Sequence, residues 1–408
     1  MDNPLKNKTI VLGITGSIAA YKAADIASRL TKTGAHVESI LTSSAEKFIS
    51  PLTIQSVTGK NVYVDRDLWG NVGHVVHIQL GRKADFYLVA PATANTIAKL
   101  ANGIADNLLT VTALAAGCPI CIAPAMDSDM FHHHATQENI KRLVDNGTII
   151  IGPEIGHLAS GLEGPGRMSD PQEIINQLQF LASRSNPLKN KKIVVTAGGT
   201  QEAIDPVRVL TNRSSGKQGY ALAQSALNAG ANVVLISAPT ALSAPTGAKL
   251  ILVVSAEDMR QSVLAEIGDA DALVMAAAVS DFRPTEFQNE KIKKDSSPST
   301  LQLSRTEDIL KEVAAVKKKK KLDLKVIGFA AESQQLVENA TKKMRQKNMD
   351  LIVANDITEP NAGFGVDTNK VLLIYSDGST EQLPLMNKTE VAEKVINHAL
   401  SLLNEGVG

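Results

Sequence analysis

A chain of 408 residues with 42 basic and 42 acidic side chains carries no formal net charge, which argues against a general nucleic-acid binder, since such proteins need an excess of basic charge. Aromatic residues make up 3% of it, too few for base-stacking platforms, and a hydrophobic content of 44% suits a globular protein too long for one ordinary core. The polar start from Met1 to Lys8 lacks signal-peptide architecture, no apolar run approaches the ~20 residues that span a bilayer, and two cysteines cannot build a disulfide framework, so a cytoplasmic protein with no membrane partner is expected.

The first half alternates strand and helix. Residues 9–13 form a β-branched strand. Ala19, Ala23, Ile26, Ala27 and Leu30 then recur at helical spacing, and Gly34 closes that helix. His36 to Leu41 is the next strand, and Phe86 to Ala90 and Ile120 to Ala123 are short apolar runs suited to buried parallel strands. Cys118 and Cys121 form a C-x-x-C with no second ligand pair for zinc and no helix to follow, so they read as small buried residues near a strand. His132, His133 and His134 lack nearby Cys or acidic ligands at defined spacing and read as surface or interface residues.

Asn3 to Lys8 and Asn186 to Lys191 spell the same phrase, Asn-Pro-Leu-Lys-Asn-Lys, each before a β-branched strand that runs into a Gly-rich turn. That repetition marks two domain starts, 1–185 and 186–408, with a linker near Ser183 to Lys191. In the second half, a strand at 192–196 leads to a helix from Gly219 to Ala229. Further strands are expected at 232–237, 250–254, 272–278, 325–330 and 351–354. Ser255 with Asp258 marks a helix start, Val371 to Tyr375 opens a hairpin, and Asn387 with Glu390 reads as a capping box. Lys317 to Lys321 reads as a solvated loop. The fold class is α/β, with two Rossmann-like, doubly wound parallel-sheet domains.

Gly13-Ile14-Thr15-Gly16-Ser17 joins a strand to a helix, and its small side chains and free N–H groups suit a phosphate. It lacks the full G-x-G-x-x-G of dinucleotide binders, so a mononucleotide fits better than NAD. His77-Ile78-Gln79-Leu80, Pro91 to Thr96, Pro124-Ala125-Met126-Asp127 and Gly164 to Met168 follow in order. Over about residues 5–180 this series resembles the flavin-dependent cysteine decarboxylases. The resemblance implies FMN held near Gly16, Ser17, Ser43, Thr93, Asn95 and Thr96, with oxidation of the substrate thiol providing the electron sink for loss of carbon dioxide. It places a base at His77, with His74 as the decoy, and substrate contacts at Met126 and Asp127. Asp127 stands where the pattern commonly has Asn, and an ionised carboxylate cannot donate as an amide does. Ser160, in Leu158-Ala159-Ser160-Gly161, stands where some members carry a proton-donating Cys.

The second half carries its own series. Thr196 to Thr200, Asp205 to Arg208 and Thr211 to Lys217 come first, but Gly216-Lys217 fails the P-loop pattern because Gln218 replaces the magnesium-binding Ser or Thr. Ala276 to Phe282, Lys291 to Lys294, Gly328 to Glu332, the i,i+4 pair Lys343 and Lys347, and Asn348 to Asp356 complete it. Over about residues 188–405 it resembles phosphopantothenate–cysteine ligase. The resemblance implies attack of the 4'-phosphopantothenate carboxylate on CTP, then displacement of CMP from the acyl-cytidylate by the cysteine amine. Lys291, Lys343 and Lys347, with Mg2+, would offset polyanion repulsion. Asp281, Phe329 and Glu307-Asp308-Ile309-Leu310 match nucleotide contacts, and Asn212 matches a residue acting on the acyl-cytidylate. In sequence, ligation and decarboxylation yield 4'-phosphopantetheine, a stretch of coenzyme A biosynthesis. Homo-oligomers are implied as well: trimers through the flavin domain, with FMN between subunits, and dimers through the ligase domain. Alternatives are an active ligase with a degenerate flavin domain serving assembly, and an NAD-dependent Rossmann oxidoreductase.

Overall fold

A computed structural model describes residues 3–69, 75–183, 186–292, 300–332, 336–356 and 365–404. His74, Lys293 and Lys294 lie outside the described residues. The chain divides into two compact units, residues 2–182 and 183–408.

The first unit runs β1 (Thr9–Ile14), α1 (Lys22–Lys32), β2 (His36–Leu41), α2 (Pro51–Thr58), β3 (Val62–Val64), α3 (Val76–Lys83), β4 (Phe86–Ala92), α4 (Ala94–Ala101), α5 (Leu108–Ala115), β5 (Ile120–Pro124), α6 (Ser128–His132), α7 (His134–Asp145), β6 (Ile149–Ile150), β7 (Glu154–His157), β8 (Glu163–Arg167) and α8 (Pro171–Ser183). Among the described residues, six strands form one parallel sheet ordered β3-β2-β1-β4-β5-β6. All six residues of β1 are buried, because helices cover both faces. Ile10, Leu12 and Ile14 point into one apolar layer with Ile26, Leu30 and Leu178. Val11 points into the other with Ile40, Tyr87 and Leu109. That alternation is the period of two expected of a strand. Gly34, at φ +84°, ends the first βα unit where a side chain would be strained.

The second unit runs β9 (Lys192–Ala197), β10 (Gln201–Ala203), β11 (Val209–Thr211), α9 (Lys217–Asn228), β12 (Asn232–Ser237), β13 (Lys249–Leu252), α10 (Ala256–Glu266), β14 (Ala272–Met275), β15 (Phe282–Pro284), β16 (Leu303–Arg305), α11 (Ile309–Lys320), β17 (Lys325–Glu332), α12 (Leu336–Gln346), β18 (Leu351–Asp356), β19 (Thr368–Asn369), β20 (Val371–Tyr375), β21 (Thr380–Gln382), β22 (Met386–Asn387) and α13 (Lys388–Asn404). Its main sheet, among the described residues, is ordered β13-β12-β9-β14-β17-β18-β20-β21. Six strands are parallel, and the hairpin β20–β21 adds two antiparallel ones at the edge. Ser255 and Asp258 cap α10 reciprocally, and Glu390 accepts the Asn387 N–H at 2.9 Å at the start of α13.

Two expectations need correction. The strand expected over 272–278 stops at Met275. The Thr196 hydroxyl takes the Ala277 N–H at 3.1 Å, which draws residues 276–278 out of the ladder and into a cavity wall. Lys317 to Lys320 are the last turn of α11, not a loop, and Lys321 caps it at φ 52°. Cations are favoured at a helix C-terminus by its exposed carbonyls, and Lys317 pairs with Asp350 at 3.2 Å.

Candidate active sites

In the first sheet the chain winds outward from β1 one way and from β4 the other. Such a reversal opens a crevice beyond the carboxyl ends of the two strands. The turn after β1 fills one lip. Thr15 donates to the Pro91 carbonyl at 2.7 Å and accepts from the Thr93 N–H at 3.2 Å, so one hydroxyl ties the two loops. An added Cβ on Gly16 would lie 2.4 Å from the Ser44 Cβ; only glycine permits that approach. Ser17 caps the following 3-10 turn. On the other lip, Thr93 caps α4 and accepts from the Thr96 N–H at 3.4 Å. The Ala94 and Asn95 amides, at a helix start, have no carbonyl a turn behind them. Ser43, after β2, donates from its N–H and hydroxyl to Asp65 at 2.9 and 2.6 Å. The same carboxylate accepts the Leu108 N–H at 3.2 Å. The turn carrying Gly16 and Ser17 is thus tied through Thr15 to Thr93 at the start of α4, whose first turn holds Asn95 and Thr96, and Ser43 is fastened to Asp65 after β3. Asp65 is a positioning residue that no motif announced; an acid directly after a short β-branched strand was its one signal.

Beside this crevice lies a cavity of about 580 Å³ lined by Tyr21, Lys22, Met126, Asp127, Ser160 and Arg167, among others. Met126 is held by its N–H bond to the Gly166 carbonyl at 3.0 Å. The hairpin β7–β8 carries Ser160 at its tip, and Ser160 donates to Asp127 at 2.5 Å. The two departures from the decarboxylase pattern therefore meet. The Ser160 hydroxyl and the Asp129 N–H hold the Asp127 carboxyl below the usual carboxylate range. His77 sits in the first turn of α3, half-buried, and is not among the residues lining the cavity. His132 to His134 are exposed. Cys121 is buried in β5, which pushes its thiol up to about 12, and half-buried Cys118 is also raised by burial.

The second sheet repeats the reversal, with β9 and β14 at the switch. Here two chambers meet. One, of about 550 Å³, is lined by Asn212, the Ser214–Gly219 turn, Ala276 to Val279 and Lys343. The other, of about 480 Å³, is lined by Glu307, Asp308, Ile309, Leu310 and Lys347. Asp281 and Phe329 line both. Asn212 donates to the Ala278 and Val279 carbonyls at 3.3 and 3.2 Å, which fixes its amide at the wall. Lys347 pairs with Asp308 at 3.1 Å. Lys343 and Lys347, one helical turn apart, therefore serve different chambers.

Lys291 is exposed and lines neither chamber. Its neighbour is clamped: Asp205 accepts the Ile292 N–H at 3.2 Å, and Arg208 donates to the Ile292 carbonyl at 3.2 Å. Asp205 is buried, and the Arg208 guanidinium holds its carboxyl far below the usual range. Because that folded value is depressed, the clamp stabilises fully above the ordinary carboxylate pKa and is lost as the pH falls toward the depressed one. On the ligase resemblance of the second half, Asp205→Asn should cut ligation about tenfold by misplacing Lys291. Wild-type ligation rates in that variant would show that the clamp has no part in placing Lys291.

The Flavoprotein family model matches residues 2–183. The model of the DNA/pantothenate metabolism flavoprotein C-terminal domain matches residues 188–403. The coenzyme A biosynthesis bifunctional protein CoaBC of Bacillus subtilis is 46% identical over 401 residues, covering 98% of this chain and 98% of that protein. The chain belongs to the CoaBC family. The same protein of Escherichia coli K12 is 39% identical over 407 residues, with 98% of each chain covered. That of Mycobacterium bovis is 40% identical over 408 residues, with 97% of each covered. The chain is accordingly a bifunctional enzyme of coenzyme A biosynthesis, a flavoprotein decarboxylase followed by a ligase. No helix among the described residues is long and apolar enough to cross a membrane.

Proposed function

We propose that the second unit joins 4'-phosphopantothenate to cysteine at the expense of CTP, and that the first decarboxylates the conjugate with FMN. The observation that carries this reading is the two-chambered cleft of the second unit. A reaction between two polyanions needs two adjoining compartments with cations in each and a shared junction. Lys343 and Lys347 supply the cations, and Asp281 and Phe329 the junction. Glu307 to Leu310 would hold the nucleotide. The substrate carboxylate then approaches the α-phosphorus at the junction, pyrophosphate leaves, and Asn212 steadies the acyl-cytidylate until the cysteine amine displaces CMP. Lys291 would neutralise the phosphates from the clamped loop beside the cleft. No group of three or more His, Cys, Asp or Glu side chains able to hold a metal occurs among the described residues. Mg2+ carried in on a triphosphate needs only one or two carboxylates, and Asp281 at the junction fits that role.

In the first unit, the glycine-tight turn at Gly16 and the Ala94 and Asn95 amides at the start of α4 fit a phosphate, and without the full G-x-G-x-x-G a mononucleotide fits better than a dinucleotide. Gly16, Ser17, Ser43, Thr93, Asn95 and Thr96 would hold FMN, which supplies two-electron redox chemistry at the substrate sulfur. Met126 and Asp127 would border the substrate, and His77 would take the thiol proton. Because His77 stands outside the Asp127–Ser160 cavity, we assign the complete site to a homo-oligomer in which one copy's His77 serves its neighbour's cavity. Trp69 and Val75, 87% and 58% exposed, are apolar surface suited to that contact. A trimer of this unit and a dimer of the ligase unit are the assemblies this reading expects.

The test is incubation of the purified protein with phosphopantothenate, cysteine, CTP and magnesium, with products identified by mass. Phosphopantothenoylcysteine, pyrophosphate and phosphopantetheine are expected, from a protein with a bound flavin spectrum. Absence of the cysteine conjugate would refute the ligase reading. A colourless protein that stays so after FMN is added would refute the flavin reading.

A further inference from the structure

Redox-neutral decarboxylation in the first unit leaves one hydrogen without a source. The hydride taken from the sulfur-bearing carbon is returned to it, and the thiol proton taken by His77 goes back to the sulfur. The hydrogen that replaces the carboxylate on its carbon has neither origin. One proton per turnover must therefore enter from solvent, through a group that meets both the cavity and water. Among the described residues, the titratable side chains lining that cavity are Tyr21, Lys22, Asp127, His157 and Arg167. A guanidinium does not release its proton, and a phenol or an ammonium is a weak acid at neutral pH. The Lys22 ammonium is also engaged, donating to the Met168 carbonyl and to Asp170, both at 3.3 Å. Asp127 has no proton to give, because the Ser160 hydroxyl and the Asp129 N–H hold its carboxyl ionised. Ser160 already commits its hydroxyl to that contact. His157 is left, and imidazole is the side chain that gains and loses a proton near neutral pH.

His157 ends β7 and pairs with Glu163 of β8 in the hairpin. Two backbone bonds close the turn directly after it, from the Leu158 N–H to the Leu162 carbonyl at 2.9 Å and from the Gly161 N–H to the Leu158 carbonyl at 3.0 Å. Ser160, within that turn, fastens it to Asp127. The hairpin thus carries a histidine to the cavity wall while leaving it exposed to water. We propose that His157 is the acid of the reductive stage, delivering a proton to the enethiol carbon that has lost carbon dioxide. This inference rests on the decarboxylase reading above and adds the proton source that a serine at the hairpin tip does not supply. The enethiolate takes the proton at that carbon and becomes a thioaldehyde. A hydride from the reduced flavin then joins the sulfur-bearing carbon and leaves the thiolate of phosphopantetheine. The neutral imidazole recovers its proton from solvent.

The experiment incubates the full chain, as purified, with the synthetic enethiol phosphopantothenoylaminoethenethiol in deuterium oxide. Deuterium entering the carbon beside the nitrogen is followed by mass. This exchange needs only the proton transfer and its reverse, with no reductant and no decarboxylation. Wild type should catalyse it, and His157→Gln should do so about a hundredfold more slowly. Added imidazole should restore part of the rate, because the ring's position is reached from solvent; it would not mend a hairpin that had merely lost its shape. During turnover of the conjugate, the same variant should shift products from phosphopantetheine toward the enethiol. An unchanged exchange rate or product ratio in His157→Gln overturns the proposal, as does a wild type that exchanges no faster than buffer. A loss that imidazole leaves unrepaired gives His157 a structural part only and overturns it too. If exchange depends on His157 while wild type releases no carbon dioxide from the conjugate, the decarboxylase reading fails and the proton site stands.

Discussion

His77→Asn should abolish carbon dioxide release from phosphopantothenoylcysteine, while the bound flavin spectrum and the rate of ligation stay at wild-type values. A positioned base contributes about two to four orders of magnitude, and an amide cannot take the thiol proton at any accessible pH. Ser160→Ala should behave differently. The Ser160 hydroxyl is already committed to Asp127, and a serine is a far weaker acid than a thiol. Its loss should leave carbon dioxide release nearly intact and slow mainly the conversion of the enethiol to phosphopantetheine. The measurement is carbon dioxide and both thiol products, by mass, for the three proteins. Full activity in His77→Asn would remove that residue from the chemistry. Flavin-loaded wild type that releases no carbon dioxide would point to a unit kept for assembly. If the base acts on a neighbour's cavity, mixing His77→Asn subunits with a cavity variant should restore part of the activity that each lacks alone.

Lys291→Gln should lower pyrophosphate release from CTP and phosphopantothenate about a hundredfold, the equivalent of ~3 kcal/mol of transition-state stabilisation. Decarboxylation of supplied conjugate should be unaffected, since that reaction belongs to the other unit. Pyrophosphate release at the wild-type rate would place Lys291 outside the reaction. The effect should shrink at high salt if the lysine acts from the surface rather than from a closed site. Its exposed position beside the clamped Ile292 makes that salt series informative.

Much of this molecule was legible in the order of its residues because short β-branched, mainly apolar runs bounded by turn residues mark the buried strands. Thr9 to Ile14, His36 to Leu41 and Asn232 to Ser237 fall within a residue of where apolar runs place them. The turns after β1 and β4 were legible for the same reason: a glycine or hydroxyl run directly after a buried strand marks where it ends. Asp65 and Asp205 were not. Each is a single charged residue with one partner far along the chain, Leu108 for Asp65 and Ile292 for Asp205. Periodicity carries no trace of such pairs. The lysine run misled because five like charges read as solvated coil, whereas the carbonyl end of α11 and Asp350 both favour them as helix. The pairing of Ser160 with Asp127 spans 33 residues, and it turned two separate departures into one local arrangement.

The state of the two cysteines sets how this enzyme coexists with its own reactants. Cysteine, its conjugate and the decarboxylated product are thiols, each able to exchange with an accessible protein disulfide. Cys121 lies sealed in β5, Cys118 is raised by burial, and neither borders the cavities of either unit. With Ser160 at the hairpin tip, no thiol lines these cavities among the described residues. A thiolate is the species that exchanges or oxidises, and little of it forms at neutral pH in either residue. Neither thiol is therefore well placed to be captured as a mixed disulfide by the free thiols among which this enzyme works.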